Sequence, residues 1–172
     1  ALGVLGALGV GQVEVTRRPR VALLSTGDEL VTVSEQPGPG QIRDINSITL
    51  TATLREAGAE VLALGIARDV RSQVEDRLAQ ARALAADLVL TSAGVSVGTY
   101  DVVKAAVEAH GELGFWKVNM RPGKPLMAGR LGGAVLLGLP GNPVSAIVCA
   151  QLFLVPLLDH LQGLPGAHKF ET

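Results

Sequence analysis

Short blocks of uninterrupted apolar residues recur along the chain, each ending at Gly, Asp or Ser. Val21-Ala22-Leu23-Leu24-Ser25 is the first, residues 60–66 the second and Leu88-Val89-Leu90 the third. Blocks of this length and composition are the pattern of strands buried on both faces. Helical periodicity fills the gaps between them. A helix is expected over residues 48–57, with Asn46 or Ser47 as N-cap and Gly58 just past its end. A second runs over 71–86 and places Val74, Leu78, Ala81 and Leu84 or Ala85 on one face. A third follows Asp101 to about residue 109, with Val102, Val103, Ala106 and Val107 turned inward and Gly111 as its stop. Strand alternating with helix, joined by right-handed crossovers, gives a parallel sheet with helices on both faces.

The rhythm changes after Gly111. Residues 115–120 read as a strand with an aromatic start, and Arg121-Pro122-Gly123-Lys124-Pro125 as a rigid turn. Residues 126–131 and 134–139 are two more strands, joined at Gly132-Gly133 by a tight hairpin. Pro140-Gly141-Asn142-Pro143 then leads into a long apolar helix over 144–161, where Pro143 is tolerated in the first turn. The fold class is therefore α/β: three α/β/α layers with a mostly parallel sheet and an antiparallel hairpin late in the chain. Residues 18–162 form the domain. Residues 1–17 read as the remnant of a preceding domain, with a short strand at 13–15 and the basic linker Arg17-Arg18-Pro19-Arg20, and 163–172 as a tail toward a further domain.

Composition sharpens this picture in a few places. Aromatic residues are only 3% of the 172, so the core is built from Val, Leu, Ile and Ala. Fifteen Lys and Arg against 16 Asp and Glu leave a net charge of −1, which argues against a dedicated nucleic-acid binder. The single Cys149 lies in an apolar run and reads as a small buried hydrophobe, and no Cys/His cluster has zinc spacing. No run reaches the roughly 18 apolar residues of a membrane span, and a cytoplasmic protein without membrane partners is expected.

Candidate chemistry gathers in the loops that follow the strands. A parallel sheet binds its ligand beyond the carboxyl ends of its strands. Five loops lead there: one with Asp28 and Glu29, one with Asp44 and Asn46, one with Asp69, the stretch Thr91 to Asp101, and one group formed by Lys124 with Gly141, Asn142 and Ser145. Thr91, Ser92, Gly94, Ser96 and Gly98 make a small polar turn ahead of a helix start, an arrangement that favours an anion such as phosphate. It is neither a G-x-G-x-x-G fingerprint nor a P-loop. Taken singly, each Asp reads as readily as a cap or loop residue. Several carboxylates facing an anion cradle suggest Mg²⁺ bridging Asp and phosphate. Lys124, held between prolines, can act as a fixed point charge for an oxyanion or simply as an exposed turn lysine. His110, His160 and His168 neighbour no nucleophile, so a Ser-His-Asp mechanism is not expected.

The motifs Ser25-Thr26-Gly27-Asp28-Glu29-Leu30, Gly40-Gln41-Ile42-Arg43-Asp44-Ile45-Asn46-Ser47, residues 91–98, Arg121-Pro122-Gly123-Lys124-Pro125 and residues 138–145 occur in one order and spacing. That order resembles the molybdopterin molybdotransferase family, the MoeA and gephyrin E-domain proteins, over about residues 18–160. The resemblance implies the central molybdopterin-binding domain, with a MogA-like fold. It implies an enzyme that inserts molybdate into adenylylated molybdopterin with release of AMP, aided by Mg²⁺. Asp69 and Asp101 match the acidic pair of the pterin site and the metal, and Asp28 and Asp44 further acids of the cleft. Thr91, Ser92, Gly94, Ser96 and Gly98 match the phosphate and pterin loop, and Lys124, Pro125 and Ser145 the molybdate pocket. The family usually has Gly where Ala93 stands and an acid where Thr99 stands. A homodimer of the full-length protein and an upstream MogA-type adenylyltransferase are implied partners. A non-catalytic pterin-binding or scaffold module, and a MogA-type adenylyltransferase relative, are the alternatives.

Overall fold

The computed structural model describes residues 1–92 and 102–164. The elements run α1 (Leu2–Ala7), β1 (Arg20–Thr26), β2 (Leu30–Val31), β3 (Ile42–Arg43), α2 (Asn46–Glu56), β4 (Glu60–Ala67), α3 (Arg71–Ala83) and β5 (Leu88–Ser92). They continue with α4 (Val102–His110), β6 (Glu112–Trp116), β7 (Met127–Leu131), β8 (Ala134–Leu139), α5 (Pro143–Cys149) and α6 (Val155–Leu161), the last two joined by a π-helical turn over Ala150–Leu154. Six strands form one sheet in the order β4-β1-β5-β8-β7-β6. The first four are parallel, while β7 runs antiparallel to both β8 and β6. The expected mostly parallel sheet with a late antiparallel hairpin is the observed one.

Two apolar layers enclose the sheet. On one face, Val74, Leu78 and Ala81 of α3 and Val103, Ala106 and Val107 of α4 pack on Ala22, Leu24, Val89 and Leu136. On the other, Leu50 and Leu54 of α2 and Cys149, Ala150, Leu154 and Leu158 of the last helix pack on Val21, Leu23, Leu88, Leu90 and Leu137. Adjacent strand residues serve opposite layers, and this is why β1 and β5 are unbroken apolar runs. The two layers are held by branched aliphatic side chains, as the scarcity of aromatics requires.

Several element boundaries differ from the sequence expectation. Residues 13–15 form no strand, and the first ten residues carry a short helix whose apolar side chains, such as Leu2 and Val4, are exposed. The strand expected at 115–120 lies at Glu112–Trp116 instead. Its antiparallel pairing ends where Trp116 faces Met127, and the next residue, Lys117, leaves the extended region at φ 87°. Helix α3 stops at Ala83 because Ala85 turns left-handed, at φ 50°. Neither Asn46 nor Ser47 caps α2. The helix begins at Asn46, and the Asp44 carboxylate accepts the Ser47 N–H at 3.0 Å. The helical stretch Pro143–Leu161 has 19 residues and a mean hydropathy of 1.8, so one helix does reach spanning length by composition. It lies against the sheet, with Ala146, Cys149, Leu154 and Leu158 at most 1% exposed. Its π turn falls directly ahead of Pro156, whose ring removes a helical N–H donor.

Candidate functional site

The four parallel strands stop within one rung of each other. Thr26 pairs with Ala67, Ser25 with Ser92, and Ser92 with Leu139. The antiparallel strands complete the same edge from the other direction: β7 begins at Met127 opposite Gly138, and β6 ends at Trp116 opposite Met127. One rim therefore carries Asp28 and Glu29 after β1, Asp69 after β4, Ser92 at the end of β5, Gly141 and Asn142 after β8, and Lys124 and Pro125 ahead of β7. Gly94, Ser96, Gly98 and Asp101, with Ala93 and Thr99, lie outside the described residues.

The acidic end of the rim is tightly joined. The Asp69 backbone N–H donates to Asp28 Oδ1 at 3.1 Å, and the Arg68 guanidinium donates to the Asp28 and Leu30 carbonyls. Partial withdrawal from water raises the Asp69 carboxyl above the ordinary carboxylate range, and the neighbouring Asp28 and Glu29 charges raise it further, against a backbone hydrogen bond from Asp28 that lowers it. Crowded oxygen donors of this kind match a hard divalent cation. Among the described residues no group of three or more His, Cys, Asp or Glu is arranged as a metal site.

The opposite end of the rim is built from helix starts. Asn142 caps α5: its Oδ1 accepts the Val144 and Ser145 N–H groups at 3.1 and 3.2 Å, with the Ser145 hydroxyl at 3.5 Å. Asn46 is buried and donates from Nδ2 to the Gly141 carbonyl at 2.8 Å, so the start of α2 and the loop after β8 are one unit. Lys124 is exposed. Its carbonyl accepts the Val118 and Leu126 N–H groups at 3.0 and 3.1 Å, which fixes the turn while leaving the ammonium outside it. Gly123 beneath it sits at φ 111°, and a Cβ there would meet Met120 and come within 2.7 Å of Cys149 Sγ.

Between these ends lie buried hydroxyls. Ser25, Thr26 and Thr91 are at most 1% exposed, and none has a hydrogen-bond partner among the described residues. Buried polar groups are normally satisfied, and an orphan asks for an explanation such as a ligand. Thr91 was in the sequence-derived set, but Ser25 and Thr26 were not. Their signal was the Ser-Thr pair closing an otherwise apolar strand. Ser25 also lines a groove of about 510 Å³ between α2 and β4, with Asp44, Ser47, Ile48, Thr51 and Arg55.

A family profile described as "Probable molybdopterin binding domain" matches residues 22–160. The chain belongs to this molybdopterin-binding family. A molybdopterin molybdenumtransferase of Haemophilus influenzae is 44% identical over 95% of this chain and 40% of its own length. One from Nostoc is 41% identical over 95% and 38%, and gephyrin of Dictyostelium discoideum is 34% identical over 94% and 26%. The chain thus spans about two fifths of the bacterial relatives' length. Among solved structures, a molybdopterin biosynthesis MoeA protein of Pyrococcus horikosii superimposes with a TM-score of 0.84 at 35% identity, covering 94% of this chain and 40% of that one. A MoaB structure from Thermus, at 23% identity and TM-score 0.63, shares the fold and covers 86% of this chain and 98% of its own. The matched span, residues 22–160, includes every strand of the six-stranded sheet but the first residues of β1.

Proposed function

We propose that this molybdopterin-binding domain belongs to a molybdopterin molybdenumtransferase that inserts molybdate into adenylylated molybdopterin and releases AMP. The observation that carries the reading is the rim itself: Asp28 and Asp69 linked through the Asp69 backbone N–H at one end, buried hydroxyls without a partner among the described residues in the middle, and a capped helix start beside Lys124 at the other. The hydroxyls of Ser25, Thr26 and Thr91 offer hydrogen bonds to a polar ligand, and the α5 N-terminus and Lys124 offer positive potential to its anionic groups.

In this proposal Asp69, with Asp101, holds Mg²⁺, and Asp28 orients Asp69 through the backbone bond. Magnesium supplies Lewis acidity at phosphate oxygens. Ser92, Asn46 and Asn142 position the pterin and its phosphate, while Lys124, Pro125 and Ser145 receive molybdate. The enzyme works in the cytoplasm as a homodimer, on a product delivered by an adenylyltransferase. The full-length protein containing this chain, given adenylylated molybdopterin and molybdate, should release AMP. Asp69→Ala should slow that release by about 100-fold or more. Release at the wild-type rate would remove Asp69 from the mechanism.

A further inference from the structure

Among the described residues, the groove between α2 and β4 shares only Ser25 with those that the transfer reading uses. It runs along the α2 face of the sheet beside β4, which is an edge strand, whereas the rim lies beyond the strand ends. Ala63 and Gly65 of β4 line it and stay exposed. A β-bulge shapes this floor. The pairing of β1 with β4 slips between Leu23 and Leu24, which leaves Leu64 without a partner, and Gly65 takes up the bend at φ 77°. A Cβ on Gly65 would meet no atom within 4 Å, so the space above it is open.

The two ends of the groove differ in chemistry. Ser47 and Arg55 both line it and stand about 12 Å apart along α2. Strand β1 ends and α2 begins at one edge of the sheet, so Ser25 belongs to the Ser47 end. Ser25 alternates with Leu23 onto the α2 face and is 1% exposed, and its hydroxyl has no partner among the described residues. A buried hydroxyl beside an open groove is a hydrogen-bonding group held ready for an occupant. At the other end, Arg55 also lines a second hollow of about 540 Å³, together with Arg18 and Glu60. Glu60 pairs with Arg20 at 3.6 Å, while neither the Arg55 nor the Arg18 guanidinium forms a hydrogen bond or ion pair among the described residues. The stretch between the ends is apolar, with Leu23, Ile48, Ala63 and Ile66.

We infer that this groove binds a small elongated organic anion, with its carboxylate at Arg55 and Arg18, its apolar body along α2, and a hydrogen-bonding tip at Ser25. Its volume of about 510 Å³ is that of a small-molecule site. A guanidinium is suited to a carboxylate, which it can grip with two parallel hydrogen bonds. An added peptide strand fits less well, because the bulge at Leu64 interrupts the row of edge amides such a strand would pair with.

Calorimetric titration of the full-length protein containing this chain with ω-hydroxyoctanoate, octanoate and the uncharged octanediol tests each part. ω-Hydroxyoctanoate should bind saturably, octanoate less tightly, and the diol about tenfold less tightly than the hydroxy acid. Arg55→Met should raise the dissociation constants of both acids about tenfold and leave that of the diol nearly unchanged. Ala63→Leu puts bulk on an exposed strand position; it should abolish binding of all three while the protein melts no lower than wild type. Ser25→Ala should remove the advantage of ω-hydroxyoctanoate over octanoate. Arg77→Met, on α3 across the sheet, should change nothing. No saturable binding of ω-hydroxyoctanoate, a diol that binds as well as the acids, or wild-type affinity in Ala63→Leu overturns the site. So does an advantage that survives Ser25→Ala, or a loss in Arg77→Met equal to that in Arg55→Met. Competition by saturating AMP would merge the groove with the transfer site and overturn it as a separate one. Intact ω-hydroxyoctanoate binding in a full-length protein that releases no AMP from adenylylated molybdopterin would remove the transferase reading and leave the groove standing.

Discussion

At the scale of single residues, Asp69 is the most informative. Withdrawal from water, then Asp28 and Glu29, raise its carboxyl above the ordinary range. Between its ordinary and its raised pKa the folded chain holds more protons than the unfolded one. Stability therefore falls as pH rises through that window, and the penalty is complete above it. Asp69→Asn keeps an acceptor oxygen and removes the charge. It should raise the melting temperature at neutral pH, lose that advantage at pH values below the ordinary carboxylate range, and show less of it in high salt, where the Asp28 and Glu29 contributions are screened. Thermal melts of both proteins across pH would check this; an advantage that persists in strong acid would show that charge was not the cause. A residue that destabilises the ligand-free fold in this way fits a group kept for a ligand rather than for folding.

At the scale of elements, the capped helix starts govern the rim. Asn142 satisfies two orphan N–H groups of α5, so Asn142→Ala should cost about 1 kcal/mol and lower the melting temperature by about 2–4 °C. Circular dichroism melts suffice to test it; an unchanged melt would mean that Pro143 alone sets the helix start. Pro143 ahead of an apolar run marks this helix start in the sequence, where Asn142 reads as a ligand-binding residue; that it caps the helix shows only in the structure. The sequence also hides the cap of α2, because Asp44, Asn46 and Ser47 are all capping types within four residues. Tertiary packing chose among them: Asn46 was drawn to the Gly141 carbonyl 95 positions away, and Asp44 took the helix. Long-range competition of this kind leaves no local trace. The same holds for β2 and β3, two residues each, and for Lys117, whose left-handed backbone ends β6 early. By contrast β1, β5 and β8 were legible because burial on both faces writes itself as continuous apolar sequence. The rim loops were legible as loops, yet the orphaned hydroxyls of Ser25 and Thr26 could be seen only once the strands were in register.

For the molecule as a whole, Asp87 ties the segment ahead of the sheet to its centre. The Arg17 guanidinium donates to both carboxylate oxygens at 2.7 and 2.6 Å, and the Arg20 N–H adds a third bond at 2.8 Å. The Arg17 hydrogen bonds hold the Asp87 carboxyl below its ordinary range, outweighing the burial that opposes them, and the Arg20 N–H lowers it further. Its contribution is therefore present above the ordinary carboxylate pKa and is lost as pH falls through the depressed value. Asp87→Ala should destabilise the chain by about 1–2 kcal/mol at pH 7, with the difference from wild type shrinking in acid, as denaturant titrations at both pH values would show. A difference that grows in acid would contradict this. The clamp acts at the edge opposite the rim, so it sets stability without touching the ligand groups.

The turn that carries Lys124 rests on the helix below it with no spare thickness. Gly123 has room only for hydrogen where it faces Cys149, whose sulfur lies 3.9 Å from the Gly123 carbonyl. The position of that ammonium is thus partly decided by a thiol that never meets solvent. Exchanging Cys149 for a bulkier apolar side chain would act like a shim beneath a lever, lifting the charged tip while leaving every rim residue chemically intact.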